Sequence, residues 1–180
     1  MQSDNNYNNK LNLDIDTNHK ITHNQVLKLA TKLSHISWKK QYRHYQQNYH
    51  HISSSSYYNY WLHYKNSITQ ALKQHNFKVR VLYNQQIQGI WHRHVLLYAF
   101  NRPFMYAITH TKSPITFGLS SLGGSSLGSL LFKNYIYKSE FEFCSTNILK
   151  SMHKNYRQLY GRKRIYKKKN AELILYEFLL

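Results

Sequence analysis

From Phe77 to Thr111 the chain changes to a strand pattern, three apolar-rich runs broken by turn formers, which suits antiparallel strands. The first run, FKVRVLYN (77–84), puts Phe77, Val79 and Val81 on one face. Asn84 to Gly89 reads as a hairpin turn into IWHRHVLLYAF (90–100), and Asn101-Arg102-Pro103 turns the chain again into FMYAITHT (104–111). YIYKSEFEFC (135–144) alternates as a further strand, and RKRIY with AELILYEFLL (171–180) reads as a closing hairpin. Helical spacing is found earlier in the chain. Val26, Leu27, Leu29, Ala30 and Leu33 carry it from Asn24 onward, and Trp61, Leu62, Ile68, Ala71 and Leu72 carry it again, with Ser67 as a cap and Asn76 as a stop. GLSSLGGSSLGSLLF (118–132) is a glycine- and serine-rich loop with a short helix expected near Leu127, and the stretch after Cys144 is helix-permissive. An antiparallel sheet preceded by helices is an α+β arrangement.

Residues 1–24 are polar and Asn-rich without a sustained period, which marks a mobile arm ahead of a single domain over 25–180. With Cys144 as the only cysteine, no intramolecular disulfide can form, and a reducing, cytoplasmic compartment is expected. The N-terminus has no apolar core of a secretory signal, and no apolar run reaches the roughly 18 residues of a membrane span. The net charge of +18 admits two readings. One is a polyanionic partner, nucleic acid or an anionic membrane. The other is codon composition, because the chain is rich in the Asn, Lys, Ile and Tyr that A/T-rich codons encode. Either suits a site for a small dianion, since a positive field concentrates anions.

Two charges fall on apolar rows. Leu173, Leu175, Glu177 and Leu179 share one face of the last strand, so Glu177 is either an inward carboxylate in need of a partner or a residue on a solvent-facing edge. Trp91, Arg93, Val95 and Leu97 share a face in the same way, with His92 and His94 opposite. An inward guanidinium suits a bidentate clamp on a carboxylate, and it equally suits an ion pair with Glu177. LGGSSLG (122–128) offers converging backbone N–H groups, like an anion nest, but it matches neither phosphate-loop pattern. No metal ligand set is expected: His50-His51 and His92-x-His94 lack nearby Cys or carboxylate partners, and no HExxH occurs. Cys144 reads as a small buried hydrophobe, and YGRKRIYKKKN (160–170) as a solvated basic turn.

Taken in order, these pieces resemble the bacterial chorismate lyase (chorismate–pyruvate lyase) family from about Trp38 to Leu180. WLHYKNSIT (61–69) is similar to that family's helix ending in W-L and then S-(L/M)-T. IWHRHVLLYAFNRPFMYAITHTKSPI (90–115) resembles its aromatic-Trp-x-Arg strand, turn and return strand. LGGSSLGSLLF (122–132) resembles its L-G-x-x-P-L-G-x-x-L-F loop. YGRKRIY (160–166) and LILYEFLL (173–180) resemble its aromatic-x-R-R segment and its closing strand with an embedded glutamate. The resemblance departs at Ser126, where the family's loop has proline, and at Ser139, where a strand arginine is usual.

The resemblance implies a single α+β domain, an antiparallel sheet with helices packed on one side. It implies conversion of chorismate to 4-hydroxybenzoate and pyruvate, a step toward ubiquinone, by a cytoplasmic monomer without cofactor or metal. Arg93 and Glu177 fall on the catalytic arginine and glutamate, and both bind substrate. Ile68 and Leu127 fall on positions whose backbone N–H groups contact the ligand. No obligate nucleic-acid partner is implied, and a transient association with a membrane surface is compatible with the charge. Two alternatives are a non-catalytic basic binding protein, for nucleic acid or an anionic membrane surface, and a ligand-sensing domain on the same fold. The latter would need a DNA-binding domain, for which the residues ahead of the S-x-T segment leave little room.

Overall fold

The computed structural model of the chain describes residues 20–40, 60–131, 136–151 and 159–180. Helix α1 (His23–Ser34) starts at a capping box: the Thr22 hydroxyl accepts from Gln25 N, and the Gln25 side chain accepts from Thr22 N. Its buried residues, Val26, Leu29 and Leu33, lie along one face. The mobile arm expected over 1–24 ends earlier: Ile21 is buried, Thr22 caps α1, and His23 and Asn24 lie in its first turn. The rest of the arm, 1–19, and the Tyr-, His- and Ser-rich connector over 41–59 lie outside the described residues. Residues 60–63 form a helical turn, and α2 (Ile68–Ala71) follows, capped by the Ser67 hydroxyl. A 3₁₀ turn over Leu72–Gln74 continues it until Asn76, at φ 52°, ends the helical path.

The sheet comprises β1 (Lys78–Ile87), β2 (Ile90–Ala99), β3 (Arg102–Thr111), β4 (Tyr137–Lys138), β5 (Glu142–Thr146), β6 (Leu159–Lys168) and β7 (Ala171–Leu179). Its order is β1-β2-β3-β7-β6-β4, with β5 also on β6, and every pairing is antiparallel. Helix α3 (Gly128–Leu131) lies between β3 and β4, at the position expected near Leu127. Among the described residues no helix is long and apolar enough to cross a membrane.

The antiparallel α+β class read from the sequence is the one found, with tighter turns. Gln88-Gly89 and Phe100-Asn101 each supply two consecutive positive φ angles, the geometry of two-residue hairpin turns. Asn84–Ile87, expected as part of a turn, therefore extends β1, where the polar Asn84, Gln85 and Gln86 and the buried Ile87 pair with β2 at the sheet's edge. Arg102 and Pro103 likewise belong to β3; the proline is tolerated beside a register shift opposite Tyr98. The expected strand 135–144 divides into β4 and β5, because Lys138↔Tyr166 and Glu142↔Lys163 differ in register by one residue. That bulge turns Phe141 into the core.

The helices, expected on one side, are shared between both faces. Strand β2 is buried almost throughout, so each of its faces needs cover. On one face Val95, Leu97, Ala107, Leu173 and Leu175 pack with Ile68, Leu72 and Leu131. On the other, Leu96, Ile108, Tyr176 and Phe178 pack with Val26, Leu29 and Leu33 of α1. Close packing on this second face requires Gly161: a Cβ there would lie 2.6 Å from Phe178 Cδ1 and 3.2 Å from Cys144 Sγ. Gly161→Ala should lower stability by about 1–3 kcal/mol through overpacking, measured as a lower urea midpoint at unchanged m-value.

The second face also buries histidines. Burial, followed by the charge of His92, pushes His110 down to about 3, and burial with His110 and His92 nearby holds His94 well below its ordinary value. Both rings stay neutral in the folded chain while the unfolded chain takes up protons below about 6.5. Their contribution to stability is therefore complete above about pH 6.5 and is lost as pH falls toward the folded values. In metal-free buffer the urea midpoint should fall between about pH 7 and pH 5, and His110→Phe should flatten that dependence.

Candidate active site

Cross-strand rows set out the first face of the sheet. Arg93 on β2 pairs with Thr109 on β3, which pairs with Leu175 on β7, which pairs with Arg164 on β6. The next row runs Val95, Ala107, Glu177, Arg162. Arg93 and Glu177 thus sit on strands separated by β3, two spacings of about 4.8 Å apart and one row out of step. They are not partners. Glu177 pairs with Arg162, its direct neighbour across the β6–β7 hairpin: Arg162 Nε lies 2.6 Å from Glu177 Oε2.

Arg162 is 3% exposed and carries a second set of contacts. Its Nη1 donates to the carbonyl oxygens of Trp61 (3.2 Å), Leu62 (3.1 Å) and Tyr64 (2.6 Å). These lie at the end of the helical turn 60–63, where carbonyl groups point outward and a cation is favoured; Trp61 O also accepts from Tyr64 N at 3.4 Å. Phe141, brought inward by the bulge, lies 4.3 Å from the guanidinium carbon of Arg162 and 3.6 Å from that of Arg164.

Arg93 is 2% exposed and far less satisfied. Its Nη2 donates to Ser125 O at 2.9 Å, while Nη1 is buried with no hydrogen-bond partner among the described residues. Burial lowers its pKa from the ordinary value. An unsatisfied guanidinium nitrogen in a protein interior costs free energy until an anion takes it.

Arg93, Glu177, Ile68 and Leu127 all line one cleft, of about 580 Å³ including its mouth. Ile68 opens α2, and Leu127 immediately precedes α3, its carbonyl accepting from Leu130 N and Leu131 N. The N–H groups at the very start of a helix have no carbonyl one turn back to receive them. The two helix starts meet because residue 128 is glycine: a Cβ there would come within 2.5 Å of Ser67 Oγ and crowd Thr69 Oγ1. Val95, Leu97, Ala107, Leu131 and Leu175 supply apolar wall.

Arg162, Thr109 and Tyr166 also line the cleft and were not identified from sequence. Burial, with the Glu177 charge adding, pushes the Tyr166 hydroxyl up to about 12. Arg162 lay within a basic run read as a solvated turn. That reading holds at the exposed tip, Lys167 and Lys169, and fails at Arg162, which is buried opposite Glu177. Strand alternation through Arg162, Arg164 and Tyr166 was the available signal. Ser126 also lines the cleft, whereas the Ser139 hydroxyl accepts from Ile165 N within the sheet. Cys144 is buried on the other face, and burial pushes its thiol up to about 12.

No family model matches the chain. It is 29% identical over 144 residues to a probable chorismate pyruvate-lyase of Shewanella amazonensis, an alignment spanning 67% of this chain and 77% of that protein. It is also similar to the crystal structure of a gene product from Staphylococcus aureus, with a TM-score of 0.48 and 8% identity, over 64% of this chain and 88% of the other.

The two arginines should separate cleanly in stability. Arg162→Met strands Glu177 in the interior and opens three carbonyls, so it should cost about 3–5 kcal/mol in denaturant unfolding. Arg93→Met removes a half-satisfied charge and should leave the unfolding free energy equal to or above the parent's.

Proposed function

We propose that this protein is a chorismate lyase, releasing 4-hydroxybenzoate and pyruvate. The observation that carries the reading is the convergence of Ile68, Arg93, Leu127 and Glu177 on one cleft in which Arg93 Nη1 is buried without a hydrogen-bond partner among the described residues. The named Shewanella relative supports the same reaction class.

Chorismate carries two carboxylates and an enolpyruvyl ether on a ring two hydrogens short of a cyclohexene's saturation and one elimination short of aromaticity. In the reaction the ether C–O bond breaks with its electrons on the departing enolpyruvate oxygen. A ring proton is lost to complete the aromatic system, and the enolpyruvate takes up a proton to become pyruvate. Aromatisation drives the step, and the protein contributes position and charge. Arg93, with the backbone N–H groups of Ile68 and Leu127, receives a substrate carboxylate. Glu177, held by Arg162 on Oε2, turns Oε1 toward the ring hydroxyl and the departing ether as hydrogen-bond acceptor or proton relay. The apolar wall excludes water and strengthens each of these contacts.

Purified protein mixed with chorismate should yield 4-hydroxybenzoate by chromatography well above the uncatalysed background. Arg93→Ala and Glu177→Gln should each lose about 10²–10³-fold in kcat/KM, against little change in Lys168→Ala. A folded protein with no product above background would remove the enzyme reading, and equal losses in all three variants would remove the site assignment.

A further inference from the structure

The face of β2 and β3 turned away from the cleft gathers three histidines. His92 and His110 are directly opposite in the register, and His94 is the next residue on the same face of β2. Ring centroids of His92 and His110 lie 4.4 Å apart, and His94 is 6.4 and 6.3 Å from the two. One nitrogen from each ring lies within 4.8 Å of the other two. Three nitrogens here, His92 Nδ1, His94 Nε2 and His110 Nε2, are buried with no hydrogen-bond partner among the described residues. A proton shared between two rings satisfies two of them and leaves the third.

The other nitrogen of His94 is engaged: Nδ1 and the Tyr106 hydroxyl are 2.7 Å apart. An outer contact of this kind fixes the tautomer and orientation of a metal-ligating histidine. An open cleft lined by Ile90, His110, Lys112 and Glu172 reaches His110 and gives an ion a way in.

We propose that His92, His94 and His110 form a binding site for a borderline first-row divalent cation, Zn²⁺ foremost, with a remaining coordination position open. Neutral imidazoles prefer zinc, copper and nickel, whereas magnesium and calcium require oxygen donors. At Zn–N distances of about 2.0–2.1 Å, tetrahedral geometry places ligand nitrogens roughly 3.3 Å apart, so the rings close by about 1.5 Å at most. The sequence shows only the His92-x-His94 pair; the third ligand arrives through strand pairing.

The test is a titration of the chelator-stripped protein with Co²⁺. One equivalent should bind with the strong visible absorption of a four-coordinate site, and one equivalent of Zn²⁺ should abolish that band. The same Zn²⁺ should raise the melting temperature, and Mg²⁺ should not. The band should vanish in His92→Phe/His110→Phe, which keeps ring volume in the core, and persist in His35→Gln/His75→Gln, which removes exposed histidines. If the double ring variant fails to fold, His110→Gln serves in its place. A parent protein with no such band, or a band that survives loss of His92 and His110, overturns the proposal. These readouts stand whether or not the protein turns over chorismate.

Discussion

The buried pair of Arg162 and Glu177 is the contact on which the cleft depends. It spans the β6–β7 hairpin and, through Arg162 Nη1, ties that hairpin to three carbonyls at the end of the helical turn 60–63. That turn leads directly into Ser67 and the start of α2 at the cleft's edge. Buried ion pairs are poor stabilisers compared with apolar residues of equal volume. This one has a different consequence: with Glu177 held by Arg162, Arg93 two strands away is left with an interior nitrogen that no anion among the described residues takes.

Strand β2 presents two sets of side chains by strict alternation. Its odd residues from Trp91 to Leu97 face the cleft and its walls, and His92, His94 and Leu96 face the side covered by α1. Burial on both faces explains why helices are needed on both, and why an arginine and a pair of histidines a single residue apart meet different surroundings. A one-residue slip of β2 would exchange the two sets, so the tight turns at Gln88-Gly89 and Phe100-Asn101 hold both in register.

Much of this was legible in the chain because the signals are local. Apolar runs bounded by turn formers located β2, β3 and β7, and counting along a strand put Arg93 and Glu177 on apolar rows. What escaped required knowledge of which strands are neighbours. Whether Glu177 meets Arg93 or Arg162 is decided by β3 inserting between β2 and β7, an order that no periodicity encodes. Arg162 was hidden by its composition, in a run of basic residues whose tip is solvated and whose start is core. His110 was separated from His92 by a hairpin and joined to it by register alone. Polar residues misled in the same way at Asn84–Gln86, which look like a turn and instead pair at the side of the sheet.

Charge accounting in the cleft gives the last constraint on its ligand. Two guanidinium groups and one carboxylate line it, leaving one positive charge in excess, and the starts of α2 and α3 add N–H dipoles of the same sign. A neutral ligand would leave Arg93 uncompensated, and a cation would add to the imbalance. An anion with one carboxylate at Arg93 balances the interior. A second acidic group in the same molecule gains from the wider field of a chain at +18. Val95, Ala107, Leu131 and Leu175 give such an anion an apolar wall to rest on, with the polar Thr109 and Tyr166 in the same lining. The ring, carboxylate and ether oxygens of the proposed substrate are compatible with these demands.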